Sequence, residues 1–258
     1  MATSLHIPQP PLSDYVSFLW LSESHAEPHT QERRLPTGTM DLVICLDEDD
    51  RMGSGLSGAH SKFFLLDTSR SFTMIGVVFK PGGGFPFVPM PAGELHNLGL
   101  PLDAVWGRYA DAVRDQLLEA KTSEVRFRIL ERALLEKCAG LRAPHPAVGY
   151  ALKEFEASAP SRSIADVTQQ IGLSSRRFIE IFRDEVGLTP KLFRRIRRFQ
   201  KVLDAVENAD RVDWARVALS CGYFDQAHFI HDFRAFAGVN PSTSLRYRTH
   251  RNRVAVHD

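Results

Sequence analysis

Residues 221–241 read CGYFDQAHFIHDFRAFAGVNP, and residues 171–190 read IGLSSRRFIEIFRDEVGLTP. The two stretches repeat each other: a glycine, then Phe-x3-Phe-Arg, then Gly-x2-Pro recur at an offset of 50 residues before the turn and 51 after it. Matches at so many fixed positions rarely arise by chance. Each copy predicts a short helix, a glycine turn and a second helix that ends at the next glycine, which is a helix-turn-helix unit.

The second helix of each unit divides into an inner and an outer face when it is drawn at 100° per residue. The residues expected in the core are Phe178, Phe182, Phe229, Phe233, Trp214 and Ala218. The outer faces carry Arg176, Ile179, Glu180 and Arg183 in the first unit, and Gln226, Ala227, His231 and Arg234 in the second. The DNA major groove admits an exposed helix face of this kind, led by its N-terminal residues.

Between the two units, Pro190–Val206 reads PKLFRRIRRFQKVLDAV and predicts one long helix. Its apolar stripe has helical period, and basic residues cover the remaining faces: Lys191, Arg194, Arg195, Arg197, Arg198 and Lys201. At 1.5 Å per residue such a helix spans roughly 26 Å. It is long enough to set two reading helices about one turn of DNA apart.

The overall composition conceals an uneven distribution of charge. The 258 residues are 43% hydrophobic and 24% charged, with a formal net charge of +1, as in a globular protein rather than a disordered one. Residues 1–143 contain 14 Lys/Arg and 18 Asp/Glu, whereas residues 144–258 contain 18 and 13. We therefore expect two domains that meet near residue 143, of which the second is basic and selective for DNA.

The cysteines and the N-terminus point to the cytoplasm. Cys45, Cys138 and Cys221 are far apart, so neither a zinc cluster nor a disulfide framework is expected. The first 15 residues lack a signal-peptide pattern, and no apolar run of about 18 residues is present to span a membrane.

The first domain is expected to be β-rich. Four short apolar runs predict strands at Tyr15–Leu21, Met40–Leu46, Lys62–Leu66 and Phe72–Phe79. Pro81–Gly84 predicts a turn. Two helices are expected after it, over Asp103–Ala120 and Ser123–Leu141, and the chain after residue 143 is expected to be helical throughout, beginning with Ala147–Ser158.

Residues 160–250 resemble the double helix-turn-helix domain of AraC/XylS-family transcription regulators. The resemblance is carried by GLSSRRFIEIFRDEVGLTP, the basic connecting helix and CGYFDQAHFIHDFRAFAGVNP, and it covers about a third of the chain. The first half resembles an uncharacterised domain attached to some of these regulators, through Trp20, Glu32-Arg33-x2-Pro36-x-Gly38, Gly76-x2-Phe79-x-Pro81 and Leu102-x3-Trp106-Gly107. The family implies a cupin-like β-domain that senses a small molecule or dimerises.

The same resemblance implies roles on DNA for the outer faces. Its base-reading positions fall on Arg176, Ile179, Glu180, Gln226, Ala227 and His231. Arginine can hold a guanine edge and glutamine an adenine edge. Two roles stay open for Glu180: it accepts a hydrogen bond from N4 of a cytosine, or it orients a neighbouring arginine. Ile179 and Ala227 either touch a thymine methyl or cover apolar surface. The residues expected on phosphates are Ser175, Arg177, Arg183, Arg194, Arg198, Lys201 and Arg234.

In the first domain, the candidates for a ligand pocket are Trp20, Glu32, Arg33, Phe79 and Trp106. For each of them an aromatic core or an internal salt bridge is the competing interpretation. His25-x3-His29 and Glu94-x-His96 have spacings that a metal accepts, but they lack the paired-histidine signature of cupins, so no metal is expected. The sequence contains no nucleophile elbow and no phosphate-binding glycine loop, so neither an enzyme nor a cofactor is expected.

These observations predict an α+β protein: a β-rich domain with a helical pair over residues 1–143, and an all-α domain of seven helices over residues 144–258. The expected partner is double-stranded DNA, with a small-molecule effector, a second copy of the chain and RNA polymerase as further partners. Two alternatives stay open for the first domain, a dimerisation or docking module and an enzyme.

Overall fold

The computed structural model describes residues 2–24, 29–47, 53–138, 143–156, 163–209 and 211–256. The strands are β1 (Ala2–His6), β2 (Val16–Ser24), β3 (Gln31–Arg34), β4 (Asp41–Cys45), β5 (Gly55–Ser57), β6 (Phe64–Asp67), β7 (Phe72–Phe79), β8 (Gly99–Pro101), β9 (Arg248–His250) and β10 (Arg253–Ala255). The helices are α1 (Leu102–Trp106), α2 (Tyr109–Glu119), α3 (Ser123–Cys138), α4 (Pro146–Glu156), α5 (Ile164–Ile171), α6 (Ser175–Val186), α7 (Pro190–Ala205), α8 (Trp214–Ser220), α9 (Gln226–Ala237) and α10 (Pro241–Arg246).

The first sheet is antiparallel and has the strand order β1-β2-β7-β4-β5-β8. One of its faces packs on helices, because Leu19 and Leu21 of β2 and the alternate residues of β7 and β4 belong to one hydrophobic cluster with residues of α1, α2 and α3. The buried Arg114 on α2 fixes the helices to this sheet by donating to the carbonyls of Cys45, at 3.0 Å, and Asp47. The β-rich domain with associated helices is therefore confirmed.

The first of the two helices predicted after the Pro81–Gly84 turn is interrupted. Gly107 has φ +61° and ψ −147°, which no helix accommodates, so the predicted helix Asp103–Ala120 is two helices, α1 and α2. Helix α3 begins at Ser123 as predicted and is described to Cys138. The remainder of its predicted span lies outside the described residues.

Local signals delimit the helices of the C-terminal region. Ser163 forms a capping box with Asp166 at the start of α5, and Gly172 and Gly222 adopt φ of +68° and +85° in the two turns. Helices α6 and α9 end on the left-handed glycines Gly187 and Gly238. Seven helices, α4 to α10, are described here, as expected. Residues 157–158 of the predicted helix Ala147–Ser158 lie outside the described chain.

A second hydrophobic core, formed mainly by the C-terminal helices, confirms most of the residues predicted to face inward. Phe178, Phe182, Phe229 and Phe233 are buried together with Ala218. Trp214 is only half-buried, and its ring stacks on Phe229 with centroids 5.7 Å apart. Its place at the first position of α8 leaves one side of the indole facing solvent.

The second half of the chain is not helical throughout, contrary to expectation. Strands β9 and β10 form a hairpin that joins β3 and β6 of the first half in a second antiparallel sheet, with the order β6-β3-β10-β9. Val254 of β10 pairs with Arg33 of β3 and is buried in the second hydrophobic cluster, which also includes Leu35 and Ala59. The two halves of the chain thus share one sheet, and residues 1–143 and 144–258 pack directly on each other. No described helix is both long enough and apolar enough to cross a bilayer.

Candidate nucleic-acid interface

The outer face of α6 is exposed and charged. Ser174 caps the helix by accepting from the backbone N–H of Arg177 at 3.3 Å. Arg176 has a side chain that is 91% exposed, and its Nε donates to Oε1 of Glu180 at 3.1 Å. Nη1 of Arg177 lies 3.6 Å from the other oxygen of Glu180. Glu180 therefore sits between two arginines at the N-terminal end of the face. Ile179 lies on its edge, and Arg183 is exposed one turn further on.

Helix α9 presents the corresponding face of the second unit. Asp225 caps it by accepting from the backbone N–H of His228 at 2.7 Å. Gln226, Ala227, His231 and Arg234 are all exposed, as the helical wheel predicts. Both predicted reading faces are therefore exposed, and each begins at a capped helix N-terminus.

A buried acid, absent from the sequence-based candidates, connects α9 to the connecting helix α7. Asp232 is 2% exposed and accepts from Nη2 of Arg195 at 2.6 Å and from its Nε at 3.2 Å. Nη2 of Arg198 and the rings of His228 and His231 lie 3.8 Å from the same carboxylate. The signal was present in the sequence: Asp232 stands three residues from Phe229 and four from Phe236, on the face that must be inward.

The basic residues of α7 are less free than an exposed stripe suggests. Arg194 lies over the ring of Phe155 at 5.4 Å, and burial, followed by the charge of Arg198, lowers the pKa of its guanidinium. Arg198 lies over Tyr223 at 5.0 Å and donates to the carbonyl of Gly222 at 3.3 Å. Lys201 is half-buried. Of the predicted phosphate contacts, Ser175, Arg177, Arg183 and Arg234 are the exposed ones.

The N-terminal domain contacts both units near the C-terminal ends of helices α6 and α9. Gly93, in the 3₁₀ turn Ala92–Leu95, approaches α6 so closely that a Cβ atom there would lie 2.7 Å from the Arg183 side chain and 3.0 Å from its carbonyl oxygen. The backbone N–H of Phe63 donates to the carbonyl of Phe236 at 2.9 Å, and its ring covers Gly238 at the end of α9. The first domain thus touches each reading helix in its C-terminal half.

The five candidate pocket residues are not brought together. Phe79 and Trp106 are buried in the first hydrophobic core. Arg33 lies on the opposite side of β3 from Glu32 and Arg34, with its guanidinium carbon 5.5 Å from the centroid of the Phe63 ring. The remaining two, Trp20 and Glu32, lie on surfaces of the two sheets that face each other. Trp20 is on the side of β2 opposite Leu19 and Leu21. Glu32 is on the same side of β3 as Arg34, whose guanidinium donates to Asp41 of the first sheet.

The space between the facing sheets, here called the inter-sheet groove, is a candidate site that the sequence did not indicate. Arg34 on β3 spans it by donating to Asp41 on β4 at 2.8 Å, and burial raises the pKa of that carboxyl although Arg34 opposes the shift. The half-buried apolar residues on the two facing surfaces, none of which is in either described core, include Trp20, Val43, Met74 and Val78 from the first sheet and Phe64 and Leu66 from the second. An apolar lining with an internal ion pair is typical of a small-molecule site.

One wall of this groove belongs to the C-terminal hairpin. Glu32, 3% exposed, lies 2.9 Å from Nε2 of His29 and 3.5 Å from Nη1 of Arg253 on β10. Next to it, Gln200 of α7 donates to the carbonyl of Pro36 at 2.7 Å and to Asn252 at 2.9 Å. Glu32 is thus held in an internal ion pair with Arg253.

The described residues contain no group of three or more His, Cys, Asp or Glu arranged to hold a metal. His25 of the His25/His29 spacing lies outside them, and so does the side chain of Cys138. Cys45 and Cys221 are buried and reduced, and the thiol of Cys45 donates to Asp47 at 3.5 Å.

Comparison with known families finds one match in each half of the chain. Residues 167–247 match the model of a helix-turn-helix domain, and residues 4–101 match a domain of unknown function (DUF6597). A search of curated proteins gave no match.

Among solved structures, the chain is similar to ToxT from Vibrio cholerae. An apo variant gives a TM-score of 0.47 at 11% identity, covering 88% of this chain and 97% of that one. ToxT bound to an unsaturated fatty acid gives a TM-score of 0.41 at 11% identity, covering 95% and 94%. The chain thus carries a helix-turn-helix domain of the AraC type behind a domain of unknown function, in agreement with the resemblance in its sequence.

Proposed function

We propose that this protein regulates transcription in the cytoplasm by binding a promoter sequence with two reading helices, under the control of a small molecule in the inter-sheet groove. The observation that carries the proposal is the pair of exposed, capped faces on α6 and α9, held by one basic helix. Two such faces on one rigid support suit successive major grooves on one side of a duplex.

The proposed base contacts differ between the units. Arg176 is the strongest candidate in the first, because a guanidinium held by Glu180 is already oriented when it meets a guanine edge. Gln226 at the first position of α9 is the candidate for an adenine edge in the second. Ile179 and Ala227 supply apolar contacts, while Glu180 and His231 complete the two faces.

Selection from a duplex pool with a randomised central segment tests this part of the proposal. The wild type should enrich a sequence with two separate conserved segments. Arg176→Ala and Gln226→Ala should each relax one segment only and weaken binding to the selected duplex by about 1–3 kcal/mol, roughly 5- to 150-fold. Lys153→Ala, a charge change on the exposed side of α4, is the matched control and should alter neither. Failure of the wild type to enrich any sequence would contradict sequence-specific binding.

The groove supports control by an effector because it is connected physically to the DNA-binding region. Strand β3 carries Glu32 and Arg34 on its groove side and pairs along its edge with β10. A ligand that displaces Arg34 from Asp41, or Arg253 from Glu32, changes the packing of the hairpin that leads back to α7 through Gln200. Such a ligand would shift the population between arrangements of the two reading helices.

A thermal-shift screen of small metabolites tests the effector. A ligand should raise the melting temperature of the wild type, and its effect should fall with Arg34→Ala and with Val43→Trp, which fills the groove. In a variant with Trp106→Phe and Trp214→Phe, the fluorescence of the remaining Trp20 should change on binding. A ligand that stabilises the protein equally with Val43→Trp binds elsewhere.

A second candidate function for the first domain is assembly. Strand β1 forms one edge of the first sheet, and it exposes 67% of Leu5, with 71% of Ile7 exposed just beyond it. An open edge beside apolar side chains can pair with the same strand of a second copy. In this candidate the first domain serves dimerisation or contact with RNA polymerase, and no metabolite raises the melting temperature.

A further inference from the structure

The two helix-turn-helix units differ by one residue at the turn. In the first, the partly buried Leu173 is followed directly by Ser174, the N-cap of α6. In the second, the buried Tyr223 corresponds to Leu173, and one additional residue, Phe224, precedes the N-cap Asp225. The change of offset from 50 to 51 residues in the repeat is therefore located at Phe224.

This inserted residue is the most exposed large apolar side chain among the described residues. Phe224 is 85% exposed, whereas Tyr223 before it is 3% exposed. Exposure of a phenylalanine to this extent leaves its whole apolar surface in water, which disfavours the free protein by roughly 1.5–3 kcal/mol relative to a buried ring. Nothing in the fold requires an aromatic residue at this position, because the first unit forms the same turn without it.

The backbone on both sides of Phe224 is held in place. The N–H of Tyr223 donates to the carbonyl of Ala218 at 3.0 Å, and the carboxylate of Asp225 accepts from His228 at 2.7 Å. The ring therefore projects from a fixed point at the N-terminal edge of the α9 face, immediately before Gln226 and Ala227.

The surroundings of the turn suit a polyanion. The guanidinium of Arg198 lies against the turn, bonded to the carbonyl of Gly222 and stacked on Tyr223. A positive charge next to an exposed apolar ring matches a DNA groove edge, where a phosphate lies close to the C5-methyl group of a thymine.

We propose that Phe224 is a specificity-determining residue that packs on the C5-methyl group of a thymine at the edge of the sequence read by α9. The inference rests on the proposed DNA binding and adds a contact that none of the six base-reading candidates includes. Because the first unit has no equivalent residue, the preference for thymine falls beside one half of the binding sequence only.

Parallel selections from the randomised duplex pool test it, with wild type, Phe224→Ala and Leu219→Ala. Leu219 is the matched control, since it is 61% exposed on α8 in the same unit. Wild type and Leu219→Ala should enrich a thymine at one position at the edge of the second segment, and Phe224→Ala should lose it. Because Phe224 is exposed, all three should melt at the same temperature.

Titrations on the selected duplex, with that thymine or with uracil in its place, measure the methyl contact itself. The wild type should bind the uracil duplex about fourfold more weakly, as expected for one buried methyl group. Phe224→Ala should bind the two duplexes equally.

Three results would overturn the inference. In the first, Phe224→Ala enriches the same thymine as the wild type. In the second, Phe224→Ala binds the selected duplex as tightly as the wild type. In the third, Phe224→Ala loses affinity but the wild type does not discriminate between thymine and uracil, which would place the ring on the sugar-phosphate backbone. A wild type that enriches no sequence removes the proposed function itself and is distinct from these three results.

Discussion

The carboxylate of Asp232 on α9 lies 2.6 Å from the guanidinium of Arg195 on α7. The acid is 2% exposed and the arginine side chain 31% exposed, so the pair joins a buried site on a reading helix to the helix that supports it. A buried carboxylate needs such a partner, because water cannot solvate it. The orientation of the α9 reading face therefore depends on an ion pair as well as on Phe229 and Phe233.

Replacing Asp232 by Asn should lower the free energy of unfolding by about 2 kcal/mol, since it removes a charge-assisted hydrogen bond and leaves Arg195 partly buried without its counter-ion. Urea denaturation measures the loss. Asp184→Asn on α6 is the matched control, because that acid is exposed and its replacement should cost less than about 0.5 kcal/mol. Equal losses in the two variants would show that the buried pair contributes nothing specific.

The shared sheet of β3 and β10 makes the C-terminal hairpin part of the core. Val254 is 1% exposed and points into the cluster around α7, so Val254→Asp should destabilise the whole protein by about 3 kcal/mol or more. The same substitution at Thr249, exposed on the neighbouring strand, should be nearly neutral. Circular-dichroism melting curves of both variants measure the difference. A Val254→Asp protein as stable as the wild type would mean that the hairpin is not packed there.

The elements that the sequence predicted well are those with local signals. Strand β7 matches its prediction at both ends, and the turns and helix ends of the two units follow from Gly172, Gly187, Gly222 and Gly238. Caps and left-handed glycines act within a few residues, so a sequence displays them directly.

The elements that were missed depend on distant partners. Gln31–Arg34 reads QERR and has no apolar alternation, but it is a strand because β6 and β10 pair with it on both sides. The hairpin β9–β10 likewise depends on β3, because Arg253 of β10 pairs with Arg34 of β3 from the other half of the chain. Pairing between such distant segments overrides local propensity. The inter-sheet groove was missed for the same reason, since Trp20 and Glu32 were grouped with Phe79, Trp106 and Arg33, which face elsewhere.

Acid should destabilise the protein through His60. Burial, followed by the charge of Arg34, lowers the pKa of this imidazole to about 4. Between pH 6.5 and 4 the unfolded chain therefore binds more protons at this site than the folded one, and stability falls as the pH falls through that range. Because the ring is only partly buried, solvent screening reduces the full effect to about 1–2 kcal/mol.

His60→Gln should flatten this part of the pH dependence. Urea denaturation of wild type and variant at intervals from pH 4 to 8 provides the measurement. Above pH 7 the free energies of unfolding of the two proteins should differ by a constant amount. That difference is the contribution of the hydrogen bond between His60 and Ser57, which is 2.9 Å long in the wild type. Curves that remain parallel down to pH 4 would contradict the assignment to His60.

Arg183 and Arg234 occupy equivalent positions in the two units, and both are exposed beyond the proposed base contacts. Replacing both by Ala should weaken binding to selected and unrelated duplexes alike, because contacts with phosphates do not depend on sequence. The slope of log K against log salt should become about 1.8 less negative, because each of the two lost phosphate contacts accounts for about 0.9.

Replacing Arg194 and Arg198 by Ala should also weaken binding, but with a lower melting temperature, since these residues stack on Phe155 and Tyr223. Anisotropy titrations at several salt concentrations separate the two pairs. An unchanged slope in Arg183→Ala/Arg234→Ala would exclude both residues from the phosphate backbone.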